Sequence, residues 1–130
     1  MTLRVRYAET DQMQVAHHTR YFEWFECART ELLREIGYPY KTLEEEGTLL
    51  PLVEANCKYI QPVFYDDVIE IQTRLKNLPR STLKLEYQIR RTQDPKILAE
   101  AFTIHAFMKR DGRPMKPPEK FTNILRENIN

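Results

Sequence analysis

The groups best suited to chemistry sit together in the run Glu9-Thr10-Asp11-Gln12-Met13-Gln14-Val15-Ala16-His17-His18. Asp11 leaves a stretch of strand character, and His18 stands where a long helix should begin. A helix start offers N–H groups without intrahelical acceptors and the positive end of the helix dipole. Such donors hold a carbonyl oxygen as it becomes an oxyanion. A carboxylate placed opposite, ionised at neutral pH as acids of this type are, attacks the carbonyl carbon or activates water. That chemistry needs neither a metal nor an organic cofactor, and none is expected. Spacing alone leaves Asp11 open between this role and that of a turn former, because aspartate favours turns through local hydrogen bonds. His17 and His18 are adjacent, side chains of neighbouring residues diverge on extended chain, and the nearby carboxylates have no set spacing, so no metal site is expected. His105, amid apolar neighbours, reads as a packed, hydrogen-bonded core histidine. The chain has no GxSxG elbow, no GxGxxG and no Walker loop, which removes the serine-hydrolase and nucleotide-fold readings.

The elements that must position these residues follow from periodicity. Residues 2–8 alternate, with Leu3, Val5 and Tyr7 on one side and Arg4 and Arg6 on the other, as in a half-buried strand. From Arg20 to Ile36 the period becomes helical: Tyr21, Trp24, Phe25, Ala28, Leu32 and Leu33 form a stripe, with Glu23, Glu26, Arg29, Thr30 and Arg34 away from it. Thr19 fits the N-cap and Gly37 the C′ position, with Pro39 beyond. Residues 41–47 read as a short helix or linker. Strands are expected over Leu50–Ile60, Val68–Leu78, Thr82–Arg91 and Ile97–Arg110, the last apolar on both faces and therefore central. Short turns at 79–81 and 93–96 make the last three an antiparallel meander, and residues 117–129 should close the chain with a short helix. One long helix on one antiparallel sheet is an α+β arrangement. The helix covers only part of that sheet, so a homodimer is expected.

The 130 residues, 42% hydrophobic and 30% charged, suit one domain spanning 1–130 rather than a disordered chain. A formal net charge of +1 argues against nucleic-acid binding. The two cysteines, Cys27 and Cys57, form no CxxC pair and are expected as reduced, partly buried thiols. The opening MTLRVRYAET has no apolar core of a signal peptide, and no stretch is apolar for the length of a membrane span; a cytoplasmic protein is expected.

The run from Tyr7 to Arg29, YAETDQMQVAHHTRYFEWFECAR, resembles the signature of the 4-hydroxybenzoyl-CoA thioesterase family, and is most similar to the branch of bacterial acyl-CoA thioesterases associated with the Tol-Pal system. The block from Lys58 to Asp67, KYIQPVFYDD, resembles the same branch, and the similarity runs from about Arg4 to Arg110. The resemblance implies a hotdog fold, a curved antiparallel sheet of about five strands around the long helix, assembled as homodimers and paired into homotetramers. It implies hydrolysis of a short-chain, branched or aryl acyl-CoA. Asp11 is then nucleophile or general base, the His18 backbone N–H the donor that polarises the thioester carbonyl, and Tyr21 a pocket-lining residue. Arg90, Arg91, Lys109, Arg110 and Arg113 are candidates for the CoA phosphates, in part from the other subunit. Two other activities stay open: an acyl-thioester hydratase or dehydratase, and a non-catalytic acyl-CoA-binding protein. The family usually has glycine where Gln14 stands. Since glycine suits left-handed backbone, Gln14 implies a different loop or one held by its own side chain.

Overall fold

The computed structural model describes residues 1–129. In chain order its elements are β1 (Thr2–Arg4), α1 (Arg20–Glu35), α2 (Tyr40–Glu45), β2 (Thr48–Leu49), β3 (Leu52–Tyr59), β4 (Val68–Arg74), β5 (Thr82–Arg91), β6 (Ile97–Ala106), β7 (Met108–Lys109) and α3 (Glu119–Asn128). Five strands make one antiparallel sheet in the order β1-β4-β5-β6-β3, while β2 and β7 pair as a separate ribbon. The expected meander is present, with Ile71 opposite Ile89 and Tyr87 opposite Ala101. The inward residues of β5, Leu83, Leu85, Tyr87 and Ile89, are all buried. The stripe of α1 packs over them, and Phe25 stacks on Tyr87 at 4.7 Å between ring centroids. Gly37, at φ +85°, ends α1. Its N–H donates to the Arg34 carbonyl and that of Tyr38 to Leu33, the paired closure that a left-handed residue permits.

Several expectations need correction. The first strand stops at Arg4, and residues 7–9 form a single 3-10 turn. Tyr7 therefore leaves the inward side of Leu3 and Val5 and is 67% exposed. The last strand breaks at the buried Phe107, after which β7 leaves the main sheet for β2. Thr19 precedes α1 but does not cap it. Its backbone is already helical (φ −65°, ψ −23°), which turns the hydroxyl away from the first-turn N–H groups and toward the His17 ring, 2.8 Å away. Cys27 is exposed on α1; Cys57 is half-buried, as expected. Arg29 does not stay out in solvent: it reaches under the sheet and donates to the Tyr87 hydroxyl at 3.3 Å.

That contact begins a polar chain inside the core. The Tyr87 hydroxyl meets Thr103 Oγ1 at 2.7 Å, Thr103 meets His105 Nε2 at 2.9 Å, and His105 Nδ1 faces the Leu50 carbonyl at 3.2 Å. A carbonyl only accepts, so Nδ1 carries the ring proton and Nε2 receives the threonine hydroxyl. Burial, reinforced by the Arg29 charge, lowers the His105 pKa from 6.5 to about 4. The unfolded chain thus binds a proton that the folded chain refuses. Stability is fully present above the unfolded value and falls as pH drops toward the folded one. Urea denaturation at pH 7.5 and pH 5 should show this loss, and His105→Gln should reduce the difference between the two. An undiminished difference in that variant would assign the acid sensitivity to other groups.

Candidate active site

The chain leaves β1, makes its 3-10 turn and enters a tight loop whose conformation is set locally. Asp11 Oδ1 accepts the Met13 N–H at 2.8 Å and the Val15 N–H at 3.2 Å, the aspartate turn that sequence reasoning allowed. Its Oδ2 has no hydrogen-bond partner among the described residues. Asp11 is exposed, so one oxygen anchors the loop and the other is left for a ligand. The loop is tied to its neighbour by bonds from Ala16 N–H to the Val63 carbonyl at 2.7 Å and from Tyr65 N–H to the Gln14 carbonyl at 2.8 Å.

Gln14 takes a left-handed backbone, φ +63°. The loop thus has the geometry glycine favours, held by main-chain bonds rather than by the glutamine side chain. A non-glycine residue there costs about 1–2 kcal/mol, and glycine returns about 0.5–1 kcal/mol of that through its freer unfolded chain. Gln14→Gly should therefore raise stability by up to about 1 kcal/mol, readable as a higher melting temperature. A lower one would mean that the side chain does support the loop.

On the far side of the loop, Arg20 N–H donates to the His17 carbonyl at 3.0 Å and Tyr21 N–H to the His18 carbonyl at 3.3 Å, forming the turn that opens α1. The His18 N–H has no acceptor among the described residues. The two imidazoles do not diverge, because this segment is a turn: their rings stack with centroids 4.3 Å apart.

Asp11, His18 and Tyr21 line one cleft of about 360 Å³, together with His17, Tyr59 and Gln61. Tyr21 is buried, with its ring edge-on to Tyr59 at 4.8 Å. Burial, with the Cys57 thiol nearby, pushes both phenols up to about 12, so each acts as a neutral hydrogen-bond donor near pH 7. The Tyr59 hydroxyl donates to the His18 carbonyl at 3.3 Å. Tyr59 and Gln61 lay unnoticed within KYIQPVFYDD; alternation along a strand cannot say what its end meets. What brings them here is an extra residue in β6, Leu98, where the register against β5 shifts. The Leu98 carbonyl accepts both the Ile60 and Gln61 N–H groups, at 2.9 and 3.0 Å, and turns the end of β3 toward the loop.

None of the five candidate cations, Arg90, Arg91, Lys109, Arg110 and Arg113, lines this cleft. Arg91 comes nearest: its guanidinium bonds the carbonyl of Pro62, a lining residue, at 2.9 Å and pairs with Asp67 at 3.0 Å. Arg90 lines a separate cavity with Glu31, Glu35 and Glu70, and its Nε is buried without a hydrogen-bond partner among the described residues. Arg110 is bonded to the Glu44 carbonyl at the end of α2.

A long helix held by one face of a five-stranded antiparallel sheet, with a polar cleft where that helix begins, defines a hotdog-fold protein. Residues 5–125 match the thioesterase-like superfamily, and the chain belongs to that family, which makes it a thioester hydrolase by homology. A solved hypothetical protein from Aquifex aeolicus is 35% identical and superposes with a TM-score of 0.89 over 96% of this chain and 97% of its own. The acyl-CoA thioesterase YbgC of Haemophilus influenzae is 33% identical over 68% of this chain and 66% of its own length. The 4-hydroxybenzoyl-CoA thioesterase of a Pseudomonas strain is 25% identical over 92% of this chain and 89% of its own. Among the described residues, no helix is long and apolar enough to cross a membrane.

Proposed function

We propose that the protein hydrolyses acyl-CoA thioesters with short-chain, branched or aryl acyl groups, using Asp11 as nucleophile or general base and the His18 N–H as the oxyanion donor. One observation carries this reading: a single cleft is lined by a carboxylate with an unengaged oxygen and by a helix start with an unengaged N–H. In the general-base form, Asp11 takes a proton from water as the water oxygen bonds the thioester carbon. The carbonyl oxygen becomes an oxyanion against the His18 N–H. The C–S bond then breaks, and the proton goes to the departing thiolate. In the nucleophilic form, an Asp11 oxygen bonds the carbon, and the C–S bond breaks with CoA leaving as a thiolate that takes a proton from water. A water molecule then hydrolyses the resulting anhydride to the free acid and the Asp11 carboxylate. Tyr21 and Tyr59 supply an aromatic wall that suits a compact or aryl acyl group.

The assembly is proposed as a cytoplasmic homodimer, paired into a homotetramer. Every residue of β3 except Cys57 is exposed, including Leu52 and Val53, and among the described residues no strand lies beside its outer edge. An exposed, unpaired edge of eight residues that includes Leu52, Val53, Ala55 and Tyr59 is what a second copy would cover. Light scattering should give the mass of two or four 15.6 kDa chains; the mass of one would remove the assembly. Arg91 is the cation best situated for the CoA phosphates, with Arg90 and Arg110 serving across a subunit boundary.

The direct test is thiol release across acyl-CoAs of graded length, aryl ones included. Turnover restricted to compact or aryl groups is expected. Bound substrate with no thiol released, or addition of water without release, would sink the reading.

A further inference from the structure

Glu9 is 5% exposed, lies two residues before Asp11, and is not among the residues lining the cleft. Removing a carboxylate from water costs several kcal/mol unless hydrogen bonds compensate. Here both oxygens are engaged: Oε1 accepts the Arg6 N–H at 2.8 Å, and Oε2 accepts the Trp24 indole N–H at 2.8 Å. The Arg6 guanidinium stands 3.4 Å from Oε1. Burial raises the carboxyl's pKa, but the donors from Arg6 and Trp24 outweigh it and leave it lowered, so the group is charged near neutrality. The Glu9 backbone carbonyl meanwhile accepts the His17 N–H at 2.9 Å.

These contacts join three places that the proposed reaction must keep in register. Arg6 is the exit from β1, Trp24 is the second turn of α1, and His17 is the residue before the proposed oxyanion donor. One residue, Thr10, separates Glu9 from Asp11, and one hydrogen bond joins the Glu9 carbonyl to His17, the residue next to His18. A displacement of about 1 Å between reacting groups can cost about a hundredfold in rate. Resting on the thioesterase reading above, we infer that Glu9 is a positioning residue: its buried carboxylate clamps the loop to α1 and so sets the spacing between Asp11 and the His18 N–H. The charge matters because a carboxylate accepts from two N–H donors at once, whereas an amide can accept from one and must point its own NH2 at the other.

The experiment is Glu9→Gln, read two ways in the full chain. Amide hydrogen exchange should speed up at His17, whose N–H is held by the Glu9 carbonyl, while the sheet stays protected. In thiol-release assays kcat should fall about tenfold to a hundredfold, with KM changed less than about threefold, as expected when the spacing of reacting groups rather than substrate binding is disturbed. Trp24→Phe keeps an aromatic ring and deletes one donor; it should lose less activity, and adding Glu9→Gln to it should cost less than in the wild type, since the amide no longer faces a second donor. Trp24 is the chain's one tryptophan, so its emission should shift in Glu9→Gln. Unchanged exchange at His17 overturns the clamp, whatever the activity. Faster exchange with wild-type kcat overturns the positioning role. Should Glu9→Gln not fold, Trp24→Phe with wild-type exchange and kcat would overturn it too. A wild-type protein that releases no thiol at all defeats the thioesterase reading itself, a result separable from the exchange data.

Discussion

Asp11→Asn is expected to lower kcat for thiol release by about 10²–10⁴-fold, the usual contribution of a positioned acid or base. The substitution is clean for a structural reason. The Asp11 oxygen that accepts the Met13 and Val15 N–H groups can be replaced by the amide oxygen, so the turn keeps its local bonds. What disappears is the charge and basicity of the second oxygen, the one without a protein partner. The melting temperature should therefore stay near that of the wild type while turnover collapses, and KM should move little. Near-wild-type turnover in a folded Asp11→Asn protein would remove Asp11 from the mechanism. The residual rate is informative as well, because the His18 N–H would still polarise the carbonyl toward water.

Phe25→Ala should cost about 3–5 kcal/mol of stability, the range for truncating a buried phenylalanine. Phe25 is 0% exposed at the seam between α1 and the sheet. Its ring stacks on Tyr87 at 4.7 Å and meets Phe22 edge-on at 5.9 Å. Tyr87 is poorly placed to swing into the vacated space, since its hydroxyl is bonded to Thr103 and receives Arg29. A cavity would remain, and domains of this kind hold only about 5–15 kcal/mol in total. Urea denaturation at fixed protein concentration measures the loss. A value below about 1 kcal/mol would show that the seam repacks, contrary to the range for large-to-small core changes. Activity should fall with stability, because the same helix presents the His18 N–H.

Much of this was legible from local pattern. The span of α1, the closure at Gly37 and the inward faces of β4 and β5 follow from periods of 3.6 and 2, which neighbouring residues report without knowledge of the rest of the chain. Asp11 was legible as a residue leaving the first strand, and the family resemblance singled it out with His18. Burial was the part alternation misreported. Val53, Ala55, Cys57 and Tyr59 do alternate with polar residues, yet β3 lies at the sheet edge with nearly every residue exposed. Tyr7 alternates with Leu3 and Val5 and still leaves their side, because the 3-10 turn begins there.

By itself, then, the amino-acid sequence determined the α+β class, the long aromatic helix, the meander and the short segment where chemistry is possible, because each depends on spacing within a few turns or strands. The tertiary structure alone decided that β3 pairs with β6 rather than with β4, its neighbour in sequence, and so carries Tyr59 to His18. It also decided that Glu9 reaches Trp24, and that Arg29, Tyr87, Thr103 and His105 form one buried chain. Apart from the Thr103–His105 link, those contacts join residues 15 to 58 positions apart. They are selected by the packing of the whole sheet on α1 and by the need to satisfy every buried polar group, and neither condition is written in any local period.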